Sequence, residues 1–298
     1  MKKILEEIIK SNRPLIEEGE VADYIPALAS ADRDKIAVSI FDMEGNCESA
    51  GDSSHRFTIQ SISKVLSLIL AIMDNGEEEV FKWVGYEATD EPFNSLLKLE
   101  LPHTEKPTNP MINAGAIVTT SLIHGKGEER FERLLSFFRK VSGNDKLDYN
   151  REVYMSEKET GDKNRAIAYL MKSRGFIEGD VEEILDIYFK QCSIEVNTVE
   201  LAKIGLYIAK RDGDLHLNKI KRIASSIMAT SGMYNFSGEY ASDIGIPSKS
   251  GVAGGIMASV PCKMGIAVYN PALDPYGNSV AGRGMMKDIS KKFKLDIF

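Results

Sequence analysis

The chain has 298 residues, 43% of them hydrophobic and 27% charged, with a net charge of -7. That is the composition of a soluble globular protein with chain enough for a sizeable core. The acidic balance argues against nucleic acid or an anionic membrane as the main partner. Three cysteines, Cys47, Cys192 and Cys262, form neither an even disulfide framework nor a zinc-ligand spacing, which fits a reducing compartment.

The first ten residues read as an amphipathic helix carrying acids, not as an apolar signal peptide. No uninterrupted apolar run is long enough to span a bilayer, so a cytoplasmic location is expected. Residues 35–41 and 47–50 flank a turn at 42–46 and predict a hairpin. Phe57-Thr58-Ile59 then leads into Gln60-Ser61-Ile62-Ser63-Lys64 and an apolar run over 65–73. That run predicts a helix buried on most faces, starting near Ser61 and ending at Asp74-Asn75-Gly76, with Gly76 left-handed. From about 78 to 230 the pattern is mostly helical, with helices expected at 113–124, 128–142, 164–173, 180–190, 197–211 and 217–229. After Gly232, strands are expected at 247–252, 255–260 and 264–269, the last two joined through Pro261-Cys262-Lys263, with a closing helix from 279 to 298. Strands at both ends of the chain predict an α+β fold, one antiparallel sheet flanked by helices. We expect a single domain over 1–298, with a sheet-containing lobe from about 1–75 and 230–298 and a mainly helical lobe from about 76–229.

Ser61 at the start of a buried helix, with Lys64 one turn on, has the makings of an activated nucleophile. Desolvation disfavours the charged amine, which can then take the hydroxyl proton. The pattern is short, and Ser95-Leu96-Leu97-Lys98 repeats it. A serine in such a place is commonly an N-cap and a lysine commonly snorkels to solvent. Lys249-Ser250-Gly251 on a predicted strand adds a second element. Together the two resemble the motifs of penicillin-recognising serine enzymes, where a K-[ST]-G strand lies along the nucleophile's pocket. The middle motif of that group departs: Tyr276-Gly277-Asn278 falls after Lys249, and Ser242-Asp243-Ile244 lacks the asparagine. Four histidines, His55, His103, His124 and His216, show no metal-ligand spacing and weaken a Ser-His-Asp scheme, although His103 could line a loop. Lys219, Lys221, Arg222, Lys291 and Lys292 read as solvated helix faces. No nucleotide-phosphate motif occurs, so no cofactor or metal is expected.

The longer motifs carry a more specific resemblance. Asn109-Pro110-Met111-Ile112-Asn113-Ala114-Gly115-Ala116-Ile117, Ser156-Glu157 through Gly161-Asp162-Lys163-Asn164, and Tyr188-Phe189-Lys190-Gln191-Cys192-Ser193-Ile194-Glu195 come first. Ser231-Gly232-Met233-Tyr234-Asn235-Phe236-Ser237-Gly238 and Lys249-Ser250-Gly251-Val252-Ala253-Gly254-Gly255 complete the set. In this order they resemble the serine-dependent glutaminases, from Val21 to Val280. The resemblance implies a fold like that of serine β-lactamases and penicillin-binding proteins, L-glutamine as substrate, and release of ammonia and L-glutamate. It implies Ser61 as nucleophile, Lys64 as its base, Tyr188 and Tyr234 as proton relays, and the backbone N–H groups of Ser61 and Val252 as oxyanion hole. A tyrosine serves as such a relay base only if a nearby lysine lowers its pKa. Tyr24, Gln60, Asn113, Glu157 and Asn164 are implied in substrate binding with Tyr188, Tyr234 and Val252. Glu157 suits the α-ammonium, and the neutral donors suit the carboxylate. The family commonly forms homo-oligomers, so a dimer or tetramer is expected. A β-lactamase or D,D-peptidase, and a non-catalytic binder on the same scaffold, are the alternatives.

Overall fold

The computed structural model describes residues 1–89, 92, 94, 95 and 106–298. His103 and positions 96–98 of the second Ser-x-x-Lys match lie outside the described residues. In chain order the structure has α1 (Lys2–Asn12), β1 (Glu20–Val21), β2 (Ala37–Asp42), β3 (Cys47–Gly51) and β4 (Phe57–Thr58). A 3-10 turn over Gln60–Ile62 leads to α2 (Ser63–Asn75) and α3 (Glu77–Trp83). Then follow α4 (Asn113–Ser121), α5 (Gly127–Ser142), α6 (Arg151–Glu159), α7 (Asp162–Ser173) and α8 (Val181–Cys192). The chain continues through β5 (Glu195–Val196), α9 (Thr198–Ala209), α10 (Leu215–Ser231), α11 (Ser237–Asp243) and β6 (Ser248–Ser250). It closes with β7 (Gly255–Val260), β8 (Met264–Tyr269), β9 (Ala272–Leu273) and α12 (Val280–Phe293).

The hairpin β2–β3 and the C-terminal strands join in one antiparallel sheet of order β3-β2-β8-β7-β6. Side chains alternate across it, as a strand's two-residue period demands. Ile256, Ala258, Val260, Ile266 and Val268 face the cluster built with α1 and α12, whereas Met257, Ala267 and Tyr269 join the larger cluster with α2, α9 and α10. A third cluster packs α4, α7 and α8 on one another.

Helix α9 lies within the stretch expected to form the helical lobe, yet it packs across β7, β8 and β2. Two glycines permit this. A Cβ on Gly205 would lie 2.4 Å from the Ala258 carbonyl oxygen, and one on Gly265 would lie 2.0 Å from the Leu206 nitrogen. Helix α2 has its burial through contacts with α10 and α4, not by lying on the sheet alone.

Several local expectations need correction. The α-helix begins at Ser63; Ser61 sits in the preceding 3-10 turn, with no side-chain capping bond. Gly76 has φ 83° and ψ 159°, so it leaves the left-handed helical region and serves as the N-cap of α3. Helices α3, α6 and α11 had no counterpart in the pattern. In α6 only Val153 and Glu157 are buried, too few to show a helical period. Lys221 is not solvated: it is 1% exposed, its Nζ donates to the Lys210 carbonyl, and it lies 4.4 Å from the Tyr207 ring centre. Asn278 is fully buried and donates to the Met233 carbonyl, so Tyr276-Gly277-Asn278 is a structural turn.

Candidate active site

The site begins at a strained bend. Gln60 has φ 50°, a left-handed conformation that costs a non-glycine residue about 1 kcal/mol or more. Its side chain is fastened on both sides: Nε2 donates to Thr58 Oγ1 at 3.2 Å, and the amide is also hydrogen-bonded to Glu157. The bend turns β4 into the segment carrying Ser61. Tyr234, at φ 54°, is a second non-glycine residue in this region. Of the four such non-glycine residues among the described residues, these two belong to the site, where strain can be stored, whereas Cys262 and Lys294 do not. Strand β6 ends against the same bend. A Cβ on Gly251 would lie 2.7 Å from the Ile59 carbonyl oxygen, so a glycine there lets Val252 come alongside Ser61.

A cavity of about 240 Å³ opens over this junction. Ser61, Gln60, Tyr24 and Val252 line one side of it. Asn113 from α4, Glu157 from α6, Asn164 from α7 and Tyr188 from α8 line the rest. Lys64 and Tyr234 are not part of that lining. Lys64 is fully buried and donates to the Met111 carbonyl at 3.1 Å and to Asn113 Oδ1 at 2.7 Å. Tyr234 is hydrogen-bonded to Ser61, and its hydroxyl donates to the Ser250 carbonyl at 3.0 Å. Asn113 Nδ2 in turn donates to Asn164 Oδ1 at 2.8 Å, linking α4 to α7. Tyr24 is 55% exposed and stands at the rim. All ten positions singled out in the sequence thus converge from eight separate segments.

Burial sets the electrostatics. Desolvation lowers the Lys64 amine to about 8, partly offset by Cys192 and Glu157. Desolvation raises the Glu157 carboxyl to about 7, against the Gln60 hydrogen bond and the Lys64 charge. Each is thereby brought near neutral pH, where a group can gain or lose a proton during turnover. The tyrosines move the other way from the expectation. Burial holds both Tyr188 and Tyr234 above the ordinary phenol value. The Ser61 hydrogen bond lowers Tyr234, and less than burial raises it. They are neutral phenols here, able to pass protons but not to rest as phenolates.

Two further residues belong to the site. Lys249 is fully buried, lies 4.3 Å from the Tyr234 ring centre and donates to the Ser250 carbonyl at 2.7 Å. Burial first, and then the Lys64 charge, hold its amine well below the ordinary lysine value. The K-S-G pattern pointed to this strand without assigning the lysine a place. Cys192 also lines the cavity, hydrogen-bonded to Ser63 and Tyr188, and burial raises its thiol to about 12. No spacing rule marks a single cysteine, but its place one turn after Tyr188 puts both on one face of α8.

The five-stranded antiparallel sheet, the helices on both its faces and this cavity define a hydrolase of the β-lactamase-like fold. The glutaminase family model matches residues 19–298. A glutaminase of Clostridioides difficile (strain 630) is 56% identical over 302 residues, covering 99% of this chain and 98% of its own. A solved probable glutaminase, ybaS, superposes with a TM-score of 0.92 at 39% identity, covering 100% of this chain and 99% of its own. A probable glutaminase from Bacillus subtilis complexed with 6-diazo-5-oxo-L-norleucine gives 0.89 at 38% identity, covering 100% and 97%. The chain belongs to the glutaminase family. It is a hydrolase acting on the side-chain amide of glutamine.

Proposed function

We propose that the amide is cleaved in two steps through a γ-glutamyl ester on Ser61. The observation that carries this is the hydrogen bonding of Lys64. A neutral amine has two N–H bonds and one lone pair. Met111 O and Asn113 Oδ1 each accept an N–H bond from Lys64, which anchors the amine where it takes the Ser61 proton, directly or through the Tyr234 hydroxyl. Ser61 then attacks the amide carbon, and the proton passes to the leaving nitrogen as ammonia departs. Water hydrolyses the ester by the reverse relay. The developing oxyanion lies on the backbone N–H groups of Ser61 and Val252, where one donor is typically worth about 3 kcal/mol of barrier.

Glu157 takes the α-ammonium of glutamine. A buried carboxyl near its neutral form is stabilised as the anion when a cation arrives, so substrate binding itself sets its charge. Asn113, Asn164 and Tyr24 donate to the α-carboxylate without adding charge, Tyr188 adds a donor near the reacting amide, and Gln60 holds Glu157 in place. That a related protein was obtained with 6-diazo-5-oxo-L-norleucine, a glutamine analogue, supports this reading of the cavity.

The whole of 1–298 is read as one catalytic domain without a metal or organic cofactor. A cytoplasmic location and a homo-oligomeric state follow from the odd cysteine count and from the family's habit. The test is ammonia release from L-glutamine by wild type and Ser61→Ala, with a chromogenic cephalosporin alongside. Release that survives the substitution overturns the ester mechanism.

A further inference from the structure

A second cavity, of about 310 Å³, lies beside the first, and Val252 lines both. Its lining mixes apolar side chains and the nearly buried Phe57 and Tyr269 with several polar groups. Phe57 stacks on Tyr269 with ring centres 4.2 Å apart, and His55 lies 5.2 Å from the same tyrosine. Burial and the charge of Lys35 hold the His55 imidazole below its ordinary value, so it adds no positive charge at neutral pH.

The rim is acidic in effect. Asp32 and Glu195 both border the cavity. The one basic side chain there, Arg56, is committed to the Glu195 carbonyl at 2.6 Å, to the Glu195 carboxylate at 3.9 Å and to the Glu200 carboxylate at 3.3 Å, which leaves Asp32 as the rim acid without an ion pair among the described residues. Lys35 nearby is paired with Asp52 at 3.1 Å. Aromatic walls with an unneutralised carboxylate at the mouth suit a flat ring bearing a cationic amine.

The cavity also touches the supports of the glutamine site. Thr58, in its wall, accepts from Gln60, which holds Glu157 and precedes Ser61. Asn150, also in its wall, caps α6 by accepting from Val153 N, and α6 carries Glu157. An occupant therefore presses on the segments that set Ser61, Glu157 and Val252.

We propose that this cavity is a second small-molecule site, for a compact aromatic amine, whose occupancy changes turnover without competing with glutamine. The turnover effect rests on the glutaminase reading; the binding does not.

The probes are tryptamine, indole and indole-3-acetate, titrated calorimetrically against the full-length protein before and after inactivation by 6-diazo-5-oxo-L-norleucine. Tryptamine is expected to bind saturably in both forms, at least tenfold tighter than indole-3-acetate. Asp32→Asn, an exposed change that spares the core, is expected to remove most of that preference. Ala31→Trp, which fills the mouth, is expected to abolish binding. No saturable binding, loss of binding on inactivation, or binding indifferent to both variants overturns the site. Saturating tryptamine is expected to shift kcat at least twofold with KM for glutamine unchanged. Binding with kcat unmoved overturns the coupling, and a rise in KM alone overturns non-competition. Absent ammonia release in the untreated enzyme counts against the glutaminase reading and leaves the calorimetric result standing.

Discussion

Lys64 Nζ lies 2.7 Å from Asn113 Oδ1, so the amine proposed as base is aimed by a residue that also lines the cavity proposed for substrate. A fully buried amine held in this way is a burden on the fold, because taking its charge out of water costs several kcal/mol. Lys64→Met is therefore expected to lower kcat by about 10²–10⁴-fold, the usual worth of a general base. Its thermal midpoint is expected to stay level or rise. A variant that keeps its activity, or that unfolds many degrees earlier, would count against a strained catalytic lysine.

The two shifted groups set the pH profile. The proposed mechanism needs Glu157 ionised and Lys64 neutral in the free enzyme. With Glu157 at about 7 and Lys64 at about 8, kcat/KM is expected to rise with pH through both values. Glu157→Gln should remove the lower step and leave the one near 8. The stability signs follow separately. Lys64 is depressed below its unfolded value, so its cost is full below pH 8 and is relieved as pH rises toward 10.5. Glu157 is raised above its own, so its cost is full above pH 7 and is relieved as pH falls toward 4.5. A flat profile of ammonia release from about pH 6 to 9 would refute this assignment.

In the proposed mechanism, recognition of the ammonium falls to one carboxylate. A charge-assisted hydrogen bond is worth about 1.5–3 kcal/mol, so Glu157→Gln is expected to raise KM for glutamine by roughly ten- to a hundredfold. The decisive reading is a comparison with a glutamine derivative whose amino group is acylated. Wild type should discriminate strongly between the two, and the variant should not.

Gly251 offers a test of packing without touching a reacting group. An added Cβ would lie 2.7 Å from the Ile59 carbonyl and must push β6 away from the bend at Gln60. Gly251→Ala is expected to cost about 1–3 kcal/mol of stability, the usual price of overpacking, and to lower kcat more than it alters KM. Denaturant unfolding and steady-state kinetics on one preparation would check both. An unchanged kcat would show that Val252 need not approach Ser61 so closely.

The burial of the helix after Ser61 was written in its uninterrupted apolar run, and the hairpin and C-terminal strands in their turn residues. Those features are local, and each strand kept the two-residue alternation that the sheet uses. Helix α6 was invisible because its neighbours bury only Val153 and Glu157, so it has almost no apolar face to announce it. Lys221 read as solvated for the converse reason: its charge is local, whereas the Tyr207 ring and the Lys210 carbonyl that bury it come from another helix and the loop after it.

By itself the sequence determined the residue types of the site and their order along the chain, because motif spacing survives without coordinates. What only the tertiary structure decided is their state. That the two tyrosines are raised phenols, that Lys249 joins Tyr234, and that Lys64 and Glu157 meet near neutral pH all depend on depth of burial. Desolvation is a property of everything packed around a group, and those surroundings come from segments far apart in the chain.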